Sequence, residues 1–238
     1  MGQKNKNKKA VVLLHGIFQP SIAMSALALA LKFSGYEVFN IDYPSSKKTI
    51  EQLVDIIHGK MTKKDVASYG ELNFVGFSMG GVLTREIIRK YRPENLGRVV
   101  MIGSPNNGSE VSDNIKDWLP YKALYGPAGQ QLTTAFQKAA VKDLKIDYPL
   151  GIIAGDSKYG HPWFKSFMPD AGHDGLVSIE STKLDGMDDH MVVSASHTSL
   201  QLSPKVIRQV VYFLENGKFD TGNKPKAPKS GANNTPKP

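Results

Sequence analysis

The sequence predicts an α/β fold built on a mostly parallel, doubly wound sheet. Short apolar runs that are typical of buried strands alternate with longer segments that have the length of helices. The first run, residues 11–14, is continuously apolar, which favours a strand covered on both faces. The chain has 238 residues, of which 40% are hydrophobic, and this is enough to bury one sizeable core.

The predicted elements follow one another along the chain in that alternating order. Pro20 or Ser21 can open the first helix, and Gly35 can close it. The apolar runs at 72–75 and 150–154 indicate buried strands. The predicted strands are 10–14, 36–41, 71–75, 98–103, 150–154 and 190–194, and the predicted helices are 21–34, 48–61, 79–91 and 203–215.

Positive charge is concentrated at the two ends of the chain. The formal net charge is +8, and residues 1–9 hold four Lys and no acid, whereas residues 217–238 hold five Lys and one Asp. We therefore expect one neutral domain over 10–216 between two disordered basic tails. A neutral body without an aromatic and basic recognition motif argues against specific binding of nucleic acid. The tails are expected to be solubilising, with weak contact to an anionic membrane surface as the alternative.

Composition also limits the chemistry and the compartment. The absence of Cys excludes disulfides, thiolate metal sites and cysteine nucleophiles. No apolar stretch precedes the first predicted strand, and no run approaches the roughly 20 residues that span a bilayer. From the sequence as it stands we expect a cytoplasmic protein.

The most informative motif is residues 76–81, Gly-Phe-Ser-Met-Gly-Gly. It has the pattern G-x-S-x-G and lies between a predicted strand and a predicted helix, which is the context of a nucleophile elbow. The glycines lack a Cβ, so strand and helix can approach closely and hold Ser78 in a strained turn. The hydroxyl then projects beside a helix N-terminus, whose dipole favours a developing anion. The motif predicts Ser78 as a nucleophile.

A serine nucleophile at such an elbow needs an acid and a histidine later in the chain. His197 follows the last predicted strand and precedes the final helix, so its loop can carry the imidazole over the strand ends towards Ser78. His190, next to an acidic turn, is the alternative base. His15 precedes the serine, and we expect its ring to hydrogen-bond its own loop in a structural role.

The carboxylates considered after the predicted strand at 150–154 are Asp156, Asp170 and Asp174. We favour Asp174, because Asp-Gly followed by apolar residues makes a tight turn that can fix a carboxylate pointing inward. Its role would be to hold the tautomer of His197 and to stabilise the imidazolium. Asp156 stays open as the alternative, although a turn or capping role is typical of its position.

Two backbone amides are candidates for an oxyanion hole. One is the N–H of Met79, directly after the nucleophile, and the other comes from the loop after the first strand. In that loop Ile17 is the preferred donor, and Phe18 is the alternative.

Together these motifs resemble the α/β-hydrolase superfamily, in particular bacterial lipases and esterases, with some likeness to lipase-like GPI inositol deacylases. The matching segments occur in family order over most of residues 10–215: they are 13–17, 76–81, 103–109, 174–177 and 196–198. The resemblance implies ester hydrolysis through an acyl-enzyme, with no cofactor and no metal. Phe77 departs from the pattern, since many lipases carry His there, and we expect this change to affect packing rather than chemistry.

Residues 109–149 interrupt the alternation and separate two predicted core strands by far more than a usual connection. Because they follow a strand whose carboxyl end faces Ser78, they are expected to form a cap or lid, with a helical insert that packs on itself as the alternative. A second aromatic loop lies near the proposed acid. Together these segments predict an apolar acyl or aryl pocket. Its candidate residues are Phe18, Trp118, Leu119, Tyr125 and Trp163.

The leading hypothesis is a serine hydrolase that cleaves the ester of a small molecule or lipid. An acyltransferase or a thioesterase would use the same three side chains, and the sequence does not separate these activities. A non-catalytic binding protein on a hydrolase scaffold is the third alternative. The complete set of Ser, acid and His in the expected order argues against it.

Overall fold

The computed structural model describes residues 5–157, 166–169 and 172–222. The strands are β1 (Lys9–Leu14), β2 (Glu37–Ile41), β3 (Glu71–Phe77), β4 (Leu96–Ile102), β5 (Leu150–Gly155) and β6 (Asp189–Val193). The helices are α1 (Ser25–Phe33), α2 (Ile50–Lys63), α3 (Met79–Tyr91), α4 (Glu110–Ile115), α5 (Leu119–Gln130), α6 (Thr134–Val141), α7 (Ile179–Thr182), α8 (His197–Leu200) and α9 (Pro204–Asn216). Short 3₁₀ turns cover Ser21–Met24 and Val66–Ser68.

Within these residues the strands form one parallel sheet in the order β2-β1-β3-β4-β5-β6. Side chains alternate between the two faces of β1: Val11 and Leu13 join the core that α1 and α9 cover, whereas Val12 and Leu14 join the core under α2 and α3. Burial on both faces explains why the strands are apolar throughout. The predicted doubly wound, mostly parallel sheet is confirmed.

The strand order changes direction between β1 and β3. From β1 the chain crosses to β2 on one side, and it then returns to build β3 to β6 on the other side. In open parallel sheets the crevice at such a point lies beyond the carboxyl ends of the strands. The loop after β1 and the turn after β3 therefore meet at one edge of the sheet.

The predicted insertion at 109–149 contains α4, α5 and α6. Helix α5 is kinked, because Gly126 adopts φ 61° and ψ −159° and Pro127 follows it. No helix in the described part of the chain is long and apolar enough to cross a bilayer.

Several element boundaries differ from the predictions by one to four residues, and two of these differences have a local cause. The helix predicted at 21–34 begins as a 3₁₀ turn, in which the N–H of Ser25 bonds to the carbonyl of Ile22, and α1 starts only at Ser25. Strand β4, which was predicted at 98–103, spans Leu96–Ile102. It ends before Gly103 because this residue turns out of the sheet with φ 56°.

The folded part of the chain extends further into both tails than predicted. Residues 5–8 form a turn whose Asn5 and Lys8 carbonyls accept a hydrogen bond from Gly70 N, and Lys9 already belongs to β1. Beyond residue 217, Phe219 is buried against Phe213, with ring centroids 5.0 Å apart. The disorder predicted for 1–9 and 217–238 therefore does not apply to 5–9 or 217–222, because local hydrogen bonds and an apolar contact hold these residues. Residues 1–4 and 223–238 lie outside the described residues.

Candidate active site

Ser78 occupies a sharp turn between β3 and α3. Its backbone has φ 55° and ψ −124°, a left-handed φ that is rare for a residue with a side chain and typical of functional sites. The turn is anchored from the neighbouring strand, because Ser78 N donates to the carbonyl of Ile102 at 2.8 Å.

Close packing of backbone explains the glycines around this serine. A Cβ at Gly80 would overlap the carbonyl oxygen of Leu14 at the end of β1, and a Cβ at Gly76 would overlap the backbone of Gly80. Glycine at both positions therefore lets α3 start directly above the sheet.

His197 reaches Ser78 from a position 119 residues later in the chain. It is the first residue of α8, shortly after β6, and its Nε2 lies 2.9 Å from Ser78 Oγ. The imidazole is buried, and its ring centroid lies 5.1 Å from that of Phe77. The aromatic ring at position 77 thus forms one wall beside the imidazole.

Asp174 meets the other side of the same imidazole. Its Oδ2 lies 2.7 Å from His197 Nδ1, and its Oδ1 accepts hydrogen bonds from the amides of Leu176 and Val177 at 3.0 and 2.8 Å. Gly175 makes this tight turn possible with φ 101°. The carboxylate is buried, and because each oxygen has a partner its orientation is fixed.

The structure brings Ser78, His197 and Asp174 into one hydrogen-bonded chain and leaves the alternatives Asp156 and His190 outside it. Asp156 is exposed. His190 lies with its Nε2 3.0 Å from Thr182 Oγ1, and burial lowers the pKa of its imidazole. Asp170 lies outside the described residues.

The loop after β1 runs beside this chain of hydrogen bonds. His15 is buried, and its Nδ1–H donates to the carbonyl of Gly16 at 2.8 Å. Ile17 lines the cavity above Ser78. The amide of Phe18 donates to Ser45 Oγ at 3.0 Å. On the other side of Ser78, Met79 is the first residue of α3, so its N–H has no intrahelical acceptor.

A cavity of about 260 Å³ opens above Ser78 and His197. Much of its apolar lining comes from the loop after the acid and from the insertion: Val111, Ile115, Tyr121, Tyr125, Leu132, Leu176 and Val177. The hydroxyl of Tyr121 is held by Ser112 Oγ and by the carbonyl of Gly129, each at 3.0 Å.

The predicted pocket residues fall into three groups. Phe18 and Tyr125 line the cavity and stack on each other with ring centroids 6.2 Å apart. Trp118 and Leu119 are 53% and 76% exposed and do not belong to the described lining, because α5 directs Tyr121 inward and these two residues outward. Trp163 lies outside the described residues.

Ser45 and Tyr121 are among the residues at the site that were not predicted from the sequence. Ser45 contacts the loop after β1 from the segment that follows β2, and nothing in its surrounding sequence marks it. Tyr121 lies in the insertion at 109–149 and is not among the pocket residues predicted from the sequence. No group of three His, Asp or Glu side chains that could hold a metal ion occurs among the residues described.

The sequence profile of the palmitoyl protein thioesterase family matches residues 10–144, more than half of the chain. The chain belongs to this family. The match spans β1 to the insertion and includes Ser78, whereas Asp174 and His197 lie beyond it. No sequence among the curated proteins matches the chain.

Solved structures place this family member among lipases and esterases by fold. The mature form of Bacillus licheniformis lipase BlEst2 matches with a TM-score of 0.69 and 19% identity, over 91% of this chain and 94% of the lipase. Phospholipase PlaB from Legionella pneumophila matches with a TM-score of 0.67 and 12% identity, over 89% of this chain and 60% of the phospholipase. The monoacylglycerol lipase of Paleococcus ferrophilus matches with a TM-score of 0.59 and 17% identity, over 90% of this chain and 97% of the lipase.

These similarities confirm the predicted lipase and esterase type of α/β-hydrolase fold. The thioesterase family and the lipase structures share the hydrolase scaffold, and at such low identity the structural likeness concerns the fold alone.

Proposed function

We propose that this protein is a serine hydrolase that cleaves carboxylic esters through an acyl-enzyme. The observation that carries the proposal is the chain of hydrogen bonds from Ser78 through His197 to Asp174 at the base of an apolar cavity. The order of the contacts and their distances of 2.9 and 2.7 Å support the roles of a Ser-His-Asp triad for these residues.

In the first half of the reaction Ser78 Oγ attacks the carbonyl carbon of the ester while His197 Nε2 takes the hydroxyl proton. The tetrahedral intermediate collapses, the alcohol leaves with the proton from Nε2, and the acyl group stays on Ser78. In the second half, water gives a proton to Nε2 and attacks the acyl carbon. The second tetrahedral intermediate then collapses, His197 Nε2 gives its proton to Ser78 Oγ, and a carboxylic acid leaves, so the enzyme is restored and the protons balance.

Asp174 sets the tautomer that this cycle requires. A carboxylate opposite Nδ1 favours a proton on that nitrogen, which leaves the Nε2 lone pair facing Ser78 at 2.9 Å. The two amide bonds to the other carboxylate oxygen keep Asp174 from rotating away.

We assign the oxyanion hole to the amides of Met79 and Ile17. Met79 N–H has no acceptor within α3, and Ile17 lines the cavity beside Ser78. The amide of Phe18, the alternative donor, is already used by Ser45 Oγ. Donors aimed in advance at the oxyanion supply a large share of the rate in such enzymes.

Labelling by a fluorophosphonate tests the proposal directly, followed by turnover of p-nitrophenyl acetate, butyrate and octanoate. Labelling and turnover should be lost in Ser78→Ala and strongly reduced in His197→Ala. Ser34→Ala and His58→Ala, which lie away from the cavity, are the matched controls and should behave as the unchanged protein. Full labelling of Ser78→Ala, or no labelling of the folded native chain, would contradict the proposal.

A thioester is the second candidate substrate, because the family whose profile matches the chain is a thioesterase family. The same three side chains would act, and a thiolate leaves more easily than an alkoxide, so protonation by His197 would matter less for release. Octanoyl esters and octanoyl-coenzyme A, compared at the same acyl length, separate the two activities. Absence of thiol release under conditions where the ester is cleaved would exclude this candidate.

A further inference from the structure

The loop after β1 is held at both ends by a single turn that follows β2. At its start, the hydroxyl of Tyr43 donates to the carbonyl of His15. At its end, Ser45 Oγ accepts the amide hydrogen of Phe18 at 3.0 Å. Only Gly16 and Ile17 lie between these two attachment points. The two contacts therefore flank the peptide between Gly16 and Ile17, whose N–H is the proposed oxyanion donor.

The turn is itself rigid. Ser45 N donates to the carbonyl of Tyr43 at 2.8 Å, and both side chains are buried. The ring of Tyr43 stacks on the imidazole of His15, with ring centroids 4.0 Å apart and an interplanar angle of 9°. The two attachment points are therefore fixed relative to each other.

Phe18 needs such support because its backbone is strained. Its φ of 59° lies in the left-handed region, which is costly for a bulky residue and persists only where the surroundings determine it. The hydrogen bond to Ser45 is made by the amide of this strained residue. Its loss would let the residue relax and rotate the neighbouring peptide.

The peptide between Gly16 and Ile17 has a defined direction. The carbonyl of Gly16 accepts the bond from His15 Nδ1 at 2.8 Å. Because a trans peptide is planar, its N–H points away from its carbonyl, and the N–H of Ile17 is therefore directed away from the His15 ring. A clamp on both sides of this peptide keeps that direction constant.

We infer that residues 43–45 form a clamp that holds the Ile17 amide in the orientation required for the tetrahedral intermediate, and that Ser45 and Tyr43 are positioning residues. The inference rests on the proposed function. The same segment continues to Ser46, whose carbonyl oxygen packs against the kink of α5 at Gly126. The clamp is therefore also in contact with the insertion that contributes to the cavity lining.

Steady-state kinetics of Ser45→Ala and Tyr43→Phe with p-nitrophenyl butyrate test the clamp. Each variant should lower kcat by roughly tenfold to a hundredfold with KM nearly unchanged, since a misdirected donor weakens the transition state and not the bound ester. Ser46→Ala is the matched control and should keep the native kcat. Tyr43→Phe retains the stacked ring, so it remains informative if Ser45→Ala folds poorly.

Two further measurements separate positioning from a general loss of structure. The inhibition constant of a trifluoromethyl ketone, which forms an oxyanion on Ser78, should rise by the same factor as kcat falls. Amide hydrogen exchange of Phe18 should become about tenfold faster in Ser45→Ala, whatever the activity. Unchanged kcat in both folded variants, or a fall in kcat with unchanged inhibitor affinity, would overturn the clamp. Native activity in Ser78→Ala would instead overturn the proposed function and this inference with it.

Discussion

Gly103 lies against the carboxylate of Asp174: a Cβ at this glycine would be 3.3 Å from Asp174 Oδ2 and 3.4 Å from His197 Nδ1. The glycine ends β4 with φ 56°, so the backbone itself also favours a residue without a side chain. The backbone that follows β4 therefore packs directly against the hydrogen bond between Asp174 and His197.

Gly103→Ala should therefore reduce both stability and turnover. The left-handed φ predicts a loss of about 1–2 kcal/mol in the free energy of unfolding. The new methyl would lie 3.0 Å from Leu200 Cδ1 and would also crowd the Asp174 carboxylate, which should lower kcat at least tenfold. Gly35→Ala is the matched control, because Gly35 has φ 86° and no atom within 4 Å of the added Cβ. Urea unfolding and ester kinetics of both variants decide the point. Equal kcat values in the two variants would contradict it.

Asp174→Asn should nearly abolish turnover while the protein stays folded. The amide oxygen can keep the hydrogen bonds from Leu176 and Val177, which turns the NH₂ towards His197 Nδ1. The imidazole must then carry its proton on Nε2, so it cannot accept the proton of Ser78, and a loss of about 10⁴ in kcat is typical of this change. Asp156→Asn, on the exposed alternative carboxylate, should keep native kcat. The reverse ranking of the two variants would exclude the assignment of Asp174.

Local constraints made the central part of the site predictable from the sequence. Ser78 lies in a turn that requires glycines at fixed positions, and Asp174 lies in a turn that requires Gly175. His197 follows from its place between the last strand and the last helix. The family order of these segments then limited the fold to a doubly wound sheet.

Contacts between distant segments were not predictable in the same way. Ser45 meets Phe18 across 27 residues, and a serine in a turn has no local feature that marks such a partner. The outward direction of Trp118 and Leu119 depends on where α5 starts and on its kink, which composition does not specify. Phe219 was included in a disordered tail because its neighbours are polar, although its ring is buried.

Acid should destabilise the protein partly through His15. Burial lowers the pKa of this imidazole below its usual 6.5, against the opposing effects of its bond to Gly16 and of Asp42. Between the usual pKa and the lowered one, the imidazole binds a proton in the unfolded chain and not in the folded chain. The free energy of unfolding therefore decreases as the pH falls through this range. His190, whose pKa is also lowered by burial, contributes in the same direction.

His15→Asn isolates this contribution, because its amide N–H can still donate to the carbonyl of Gly16 and does not titrate. Between about pH 7 and about pH 5 the variant should lose less stability than the native chain. His58→Asn provides the comparison for a His on the surface of α2. Urea unfolding at several pH values measures how steeply the free energy of unfolding changes with pH in the native chain and in the two variants. Parallel curves for His15→Asn and the native chain would show that His15 does not drive the effect.

Tyr121 should limit the length of the acyl chain that the cavity accepts. Its buried side chain belongs to the apolar lining of a cavity of about 260 Å³, and two hydrogen bonds to its hydroxyl keep it there. Tyr121→Leu removes ring volume and both bonds, so the preferred p-nitrophenyl ester should shift from butyrate towards octanoate, measured as the ratio of kcat/KM values. Trp118→Leu makes a comparable reduction three residues earlier on the outward side, and its ratio should stay near the native value. A larger shift for Trp118→Leu than for Tyr121→Leu would mean that the insertion closes over the substrate with its outer face, and the cavity described above would not be the acyl site.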